Sequence, residues 1–159
     1  MDIKDFTSLI ISSAALVTSV VTFYKLRLEK KNRKIEAHIR FQNVFREIQR
    51  GFPKEVNQTD KNGNYNWVPE TPEQERNIEI YWQFVFDEWF FCNEGEKYLN
   101  ELWIKFYSHG VRGALKRPAF KKVIIKIIKS KGYMLGHKNG FKIELNRIYN
   151  LDNGTNLID

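Results

Sequence analysis

From Phe6 to Tyr24 the chain runs for nineteen residues without a charged side chain, a proline or a glycine. A helix rises about 1.5 Å per residue, so such a run reaches roughly the 30 Å hydrocarbon thickness of a bilayer. Uncharged runs in buried core helices are shorter, about 10 to 14 residues. Thr7, Ser8, Ser12, Ser13, Thr18, Ser19 and Thr22 interrupt the aliphatic residues, but a helical hydroxyl can bond back to a preceding carbonyl and so be tolerated in lipid. A cleaved signal peptide fits less well. The leading MDIKD carries two acids against one lysine, and Tyr24-Lys25-Leu26 is no small-residue cleavage site. The run predicts one transmembrane helix within residues 1–24.

Charge gives that helix a direction. Lys25, Arg27, Lys30, Lys31, Arg33 and Lys34 follow it, whereas only Lys4 and the terminal amine precede it. Positive flanks stay on the cytoplasmic side, so the expected location is the cell membrane, with the N-terminus outside and the C-terminal domain cytoplasmic. Cys92 is the only cysteine and allows no intramolecular disulfide, which agrees with a reducing compartment. Within the run, Ser8, Ser12, Ala15, Ser19 and Thr22 recur at steps of four and three. A face of small residues lets two helices approach closely in lipid, so a homo-oligomer through this helix is one expected partnership, beside the bilayer itself and an unidentified protein.

Beyond the run the pattern is helical throughout. No glycine or proline occurs before Gly51 and Pro53, so the helix can continue through the basic juxtamembrane stretch and an amphipathic segment, residues 25–50. Phe41, Val44, Phe45, Ile48 and Phe52 fall on one face at helical spacing. Residues 51–71, rich in asparagine and containing Asn62-Gly63, read as a loop that Tyr65 and Trp67 can pin. Thr71-Pro72-Glu73-Gln74 opens the next helix as a capping box with proline at the first helical position. In that helix Arg76, Glu79, Gln83, Asp87 and Glu94 form a narrow polar stripe among apolar residues, which marks it as central. A following helix presents Tyr98, Leu99, Leu102, Trp103 and Phe106. Another starts at Arg117-Pro118, buries Phe120, Val123, Ile124, Ile127 and Ile128, and ends near Gly132. Phe141 to Tyr149 suits a short helix better than a strand paired with Tyr133 to Leu135, and Asp152 to Asp159 read as a frayed tail. The fold class expected is all-α: one transmembrane helix continuing into a cytoplasmic bundle of four or five helices, with the helical domain over residues 72–151.

The net charge of +7 suggests nucleic acid until it is divided along the chain. Residues 70–101 carry nine acids against Arg76 and Lys97, while residues 102–159 carry twelve bases against three acids. Opposed segments of one domain attract each other, so part of the basic excess is expected to be used internally. Lys122, Lys126 and Lys129 form a basic face on the helix after Pro118. An anionic membrane surface suits that face better than nucleic acid, for which no fold motif is present.

Little in the sequence points to chemistry. His38, His109 and His137 lack ligand partners at metal-binding spacing, Cys92 lacks a nucleophile signature, and Gly110-Val111-Arg112-Gly113 is no phosphate loop. No metal or cofactor is therefore expected. Glu88 is the exception, because the helical wheel sets it among Tyr81, Phe84 and Cys92, where a carboxylate needs a partner or a raised pKa. Arg112 and Arg117 are the candidates for a buried ion pair with it.

The stretch FVFDEWFFC (84–92), followed by GALKRPAF (113–120), resembles bacterial families of short, single-pass membrane-anchored helical proteins of unknown function. An aromatic core and a basic turn carry the resemblance, which spans about half the chain. It implies the topology and no activity. Three functions remain open on the sequence: a membrane-tethered, non-enzymatic helical interaction module; an enzyme or toxin-like effector with a polar site around Glu88; and a membrane-bound nucleic-acid binder. The absence of catalytic motifs favours the first.

Overall fold

A computed structural model describes the backbone of residues 3–95, 99–130 and 137–158, and the side chains of 13–93, 99–130, 137 and 139–158. The described residues are helical, without a strand, and form α1 (Ile3–Arg50), α2 (Pro72–Phe90), the short α3 (Asn100–Leu102), α4 (Ser108–Leu115), α5 (Pro118–Lys129) and α6 (Lys138–Asn153). The all-α expectation therefore holds, with five helices of eight residues or more. The chain divides into two compact units, residues 1–40 and 41–159, and the division falls inside α1.

In the first unit α1 is unbroken, as the lack of proline and glycine requires. The hydroxyls of Thr18, Ser19 and Thr22 donate to the carbonyls of Ala14, Ala15 and Thr18, each at 2.8 Å, so the polar atoms of this segment are satisfied within the helix. Leu16, Val17, Val20, Val21, Phe23 and Tyr24 are all exposed. The transmembrane expectation is not supported by the fold: among the described residues no helix is long and apolar enough to cross a membrane. The side chains of Phe6 to Ser12, which open the uncharged run, lie outside the described residues.

The second unit is built around α2. Thr71 caps it by accepting from the Gln74 amide at 3.3 Å, and the Gln74 side chain reaches back to the Glu70 amide at 2.7 Å. Ile78, Trp82 and Val85 are fully enclosed, and the Trp82 indole donates to the Phe120 carbonyl at 2.9 Å, which ties α2 to α5. The end of α1 packs here: Phe41 meets Phe84, Phe91 and Tyr107 edge-on, and Phe45 stacks on Phe84. Val44, expected on that face, stands at its edge and is exposed. The Asn77 side chain donates to the Gly51 carbonyl at 2.8 Å where α1 ends. In the loop that follows, Asp60 accepts from the backbone amides of Asn62 and Asn64, and Gly63 takes a positive φ of 80°, which a side chain would resist.

The helix expected after α2 departs from an α-helical wheel. α2 continues into a π turn at Phe91–Gly95, and α3 continues through a second π turn, Trp103–Tyr107, into α4. The buried residues here are Leu99, Trp103, Tyr107, Val111, Ala114 and Leu115, and all but the small Ala114 fall at steps of four. An α-helix turns in about 3.6 residues, so strict four-residue steps drift around its axis. Wider turns cancel the drift. For this reason Tyr107 is buried and Phe106, expected inside, is exposed. Tyr98 lies outside the described residues.

α5 follows the expected wheel, with Phe120, Val123, Ile124, Ile127 and Ile128 buried and Lys122, Lys126 and Lys129 exposed. It ends at Lys129 with Ser130 as its cap; Gly132 and the alternative strand Tyr133 to Leu135 lie outside the described residues. Phe141 to Tyr149 belong to α6, which Gly154 closes in the left-handed conformation at φ 64°. The tail beyond is not frayed. Leu157 and Ile158 are buried, and the Asn146 side-chain oxygen accepts from both of their amides at 3.1 and 3.0 Å while its nitrogen donates to the Ile158 carbonyl at 2.8 Å. Asn146→Ala leaves those backbone groups without partners and is expected to cost about 1–3 kcal/mol. Urea unfolding and amide exchange at Leu157 and Ile158 check this; exchange as slow as in the native chain would contradict the anchoring role of Asn146.

Candidate functional site

Two places in the second unit gather polar chemistry. One is an open cleft of about 860 Å³. Leu115 and Ile148, both buried, form its floor with Pro118 and Ile125. α4 contributes Arg112 to one wall, with Lys116 just past its end. The opening turns of α5 contribute Lys121 and Lys122, and α6 contributes Tyr149, Asp152 and Asn153. The loop Gly63 to Asn66 forms a rim, shaped by Asp60, whose oxygens also take the Asn66 side-chain amide at 3.0 Å.

Proline explains why the bases converge. Pro118 fixes the first turn of α5 and ends the helical run before it, so Lys116 and Lys121 stand on either side of a sharp change of direction. Arg112 grips Asp152 with two hydrogen bonds, Nε to Oδ2 at 2.7 Å and Nη2 to Oδ1, and Lys116 Nζ lies 3.7 Å from Asp152 Oδ2. The Arg112 guanidinium holds the Asp152 carboxyl below the usual carboxylate range. Lys121 donates to the Tyr149 hydroxyl at 2.8 Å and lies 4.8 Å from the centre of its ring. Lys122 donates no hydrogen bond to a described residue and contributes only its field at Glu75. Four bases face one acid in this cleft, which is therefore cationic over an apolar floor.

The other place is Glu88. It is buried, at 5% exposure, and no described residue gives it a hydrogen bond or an ion pair. Burial pushes its carboxyl up to about 8, so at neutral pH it is mostly the neutral acid. Tyr81, Cys92 and Tyr107 are raised first by burial and then by the Glu88 charge, Cys92 to about 12, which keeps that thiol protonated and poorly nucleophilic. The expected ion pair does not form. Arg112 is held by Asp152. Arg117 donates to the carbonyls of Val56 at 3.2 Å and Gly113 at 2.9 Å and to the Asn57 side chain at 2.8 Å, with Tyr65 stacked on it at 4.7 Å. Both arginines found oxygens nearer their own helix ends, and Glu88 avoids the cost of an unpaired charge by keeping its proton.

The remaining candidates fall elsewhere. Lys126 pairs with Glu75 at 2.8 Å and Glu79 at 3.9 Å, which brings the basic α5 against the acidic α2; the field and hydrogen bond of Lys126 lower the Glu75 carboxyl. Lys129 is exposed outside the cleft, and of the expected basic face only Lys122 lines it. His109 is exposed, and His137 meets the Phe90 ring edge-on at 4.6 Å. Among the described residues no group of three or more His, Cys, Asp and Glu is placed to hold a metal ion. Sequence reasoning missed Lys116, Lys121, Tyr149 and Asp152. The density of bases from Arg112 to Lys122 was the available signal; the wheel of α5 alone put Lys121 and Lys122 on different faces.

Compared with models of known protein families, with curated proteins and with solved structures, the chain finds no match.

The Glu88 carboxyl has a testable consequence. The folded chain keeps this proton up to about pH 8, whereas the unfolded chain releases it near the ordinary value of 4.5. The native state therefore holds the extra proton between those limits, and stability falls as pH rises, by up to about 1.4 kcal/mol per pH unit from this group. Glu88→Gln is expected to flatten that slope between pH 5 and 8 and to be the more stable chain at pH 8. Denaturant midpoints across the range measure it, and parallel profiles for the two chains would contradict a buried, proton-holding Glu88.

Proposed function

We propose that the chain is a membrane-tethered, non-enzymatic helical interaction module, with the first half of α1 as the tether and residues 41–159 as the binding unit. The supporting observation is the exposure of Leu16, Val17, Val20, Val21, Phe23 and Tyr24. At about 100° per residue these residues share one broad side of a helix that carries no charge over Phe6 to Tyr24, with the hydroxyls of Thr18, Ser19 and Thr22 on the other. A face so apolar is unfavourable in water and needs a covering. Lipid is the covering that also suits the six bases over residues 25–34, which fit an anionic cytoplasmic leaflet. The location proposed is accordingly the cell membrane, with the N-terminus outside and the binding unit in the cytoplasm.

A second copy of the chain belongs to the same reading. Ser19 and Thr22 spend their hydroxyls on their own helix, so the face with Ser8, Ser12 and Ala15 is small and suited to close helix packing. The unpaired Glu88 favours a second reading, an effector or enzyme that uses a buried acid. Enclosure of Glu88 at 5% exposure weighs against substrate access.

Membrane fractionation tests the tether. The native chain is expected to stay in the pellet through alkaline carbonate extraction. A Leu16→Lys, Val20→Lys chain is expected to be released, because a lysine near the middle of a span costs roughly 2.5–3.5 kcal/mol of insertion. Release of the native chain by carbonate would refute the tether. Protease added to the outer face of intact cells is expected to leave residues 41–159 uncut; their digestion would reverse the orientation.

A further inference from the structure

We propose that the cleft between α4, α5 and α6 binds a phosphate monoester whose body is apolar, with Lys116, Lys121 and Lys122 on the phosphate and Tyr149, Leu115 and Ile148 against the body. The proposal concerns residues 41–159 alone and stands whether or not α1 enters a membrane. Four observations carry it. The volume, about 860 Å³, lies in the range of small-molecule sites, roughly 300–1,000 Å³. The cations are separately prepared. Lys121 is oriented by one bond to Tyr149 and keeps two of its three donors, and Lys122, which acts on Glu75 only through its field, donates no hydrogen bond to a described residue. Lys116 stands at 3.7 Å from an Asp152 that Arg112 already satisfies. The floor is apolar, so an inorganic ion would leave it wet while an apolar body would cover it.

Charge selects the phosphate class. A phosphate monoester bears between one and a half and two negative charges at about pH 7, its second proton leaving near pH 6, and offers three acceptor oxygens. Three ammonium groups on the walls of one cleft match that charge and acceptor count better than they match a carboxylate or a sulfonate. Asp152 sets a limit on this, because it is the only acid in the cleft and opposes any anion that enters.

One chemistry can arrive from two sources, a soluble phosphate ester or the headgroup and first chain segments of a phosphatidic-acid-type lipid. Phenyl phosphate stands for the first, and neutral phosphatidylcholine vesicles with and without phosphatidic acid stand for the second. Titration of the purified full chain in neutral detergent, followed by calorimetry and tyrosine fluorescence, is expected to show saturable binding of phenyl phosphate, weaker binding of benzenesulfonate, and none of phenol. Affinity should rise between pH 5 and 7 as the second phosphate proton leaves. Lys121→Gln with Lys122→Gln is expected to weaken binding at least tenfold, and Lys126→Gln with Lys129→Gln, outside the cleft, to change it less than twofold. Asp152→Asn should tighten it several-fold, a gain that a misfolded variant cannot produce. Vesicle co-sedimentation that depends on phosphatidic acid and on Lys121 and Lys122 would assign the ligand to lipid; phenyl phosphate binding without such dependence would assign it to a soluble ester. Equal affinity of the native and Lys121, Lys122 chains, or unchanged affinity in Asp152→Asn, would overturn the site.

Discussion

The guanidinium of Arg117 joins parts of the second unit that share no helix. It sits where α4 has ended and α5 has not begun, and its donors reach the carbonyls of Gly113 behind it and Val56 some sixty residues away, together with the Asn57 side chain. Its flat face lies against Tyr65 and, at 5.8 Å, near Phe120. A lysine could not do this, because one ammonium cannot serve three oxygens in a plane and stack at the same time. Through Arg117 the turn Lys54–Asn57 is bound to the start of α5, and Tyr65 is held where its loop becomes the rim of the cleft. The cleft has its rim because the loop is fastened, through Arg117, to the corner between α4 and α5. Proline supplies the corner and arginine the fastening.

The aromatic core obeys a different constraint. Trp82, Trp89, Trp103, Phe120 and Phe141 are too large to be packed by an ideal helix wherever the sequence happens to put them. Near α2 they fit, since Ile78, Trp82, Val85 and Trp89 follow steps of four and three. From Leu99 to Leu115 the large buried side chains step by four, and the backbone opens into a π turn at Trp103–Tyr107 to keep them inward. Wider turns have weaker hydrogen-bond geometry than the α-helix and persist where packing outweighs the loss. The Trp103 indole shows what is gained, since it donates to Glu144 on α6 at 2.7 Å while its ring is buried. Glu88 is a consequence of the same packing. Arg112 and Arg117 are held by other oxygens, and Glu88, enclosed by the packing, is neutralised by its own proton.

What could be read in the sequence was what depends on neighbours along the chain. Thr71 with Pro72, the faces of α5, and the unbroken α1 all follow from spacing within a few turns, where side-chain preference and backbone geometry decide the outcome together. The Glu88 environment was legible for the same reason, because Tyr81, Phe84 and Cys92 are its helical neighbours. Its partner was not, because an arginine chooses among all oxygens that the fold brings near. Arg112 reached Asp152, forty residues on, and that acid was read as part of a loose tail. The tail itself illustrates the limit: Asn146 satisfies two amides and a carbonyl beyond the helix, and nothing in a polar residue mid-helix announces that its contacts lie past a glycine. The cleft needs α4, α5, α6 and a loop in register, so no local pattern could contain it.

The distribution of charge connects the fold to the cleft. Residues 41–159 carry eighteen bases and fifteen acids, a net charge of +3. Much of this is cancelled where it is made, as α5 lays Lys126 against Glu75 and Glu79 and α6 pairs Arg147 with Glu144. Exposed pairs of this kind add little stability, but they remove field. The cleft alone, with Arg112, Lys116, Lys121 and Lys122 against Asp152, also sums to +3. The formal charges of the rest of the unit sum to zero, so the formal excess equals that of this one apolar-floored hollow, and the proton on Glu88 leaves one further positive charge outside it. Packing by itself gives no reason for that placement, since lysines that only keep a surface solvated would be spread over it. Charge gathered where a small ligand fits is the arrangement that an anion-binding unit requires.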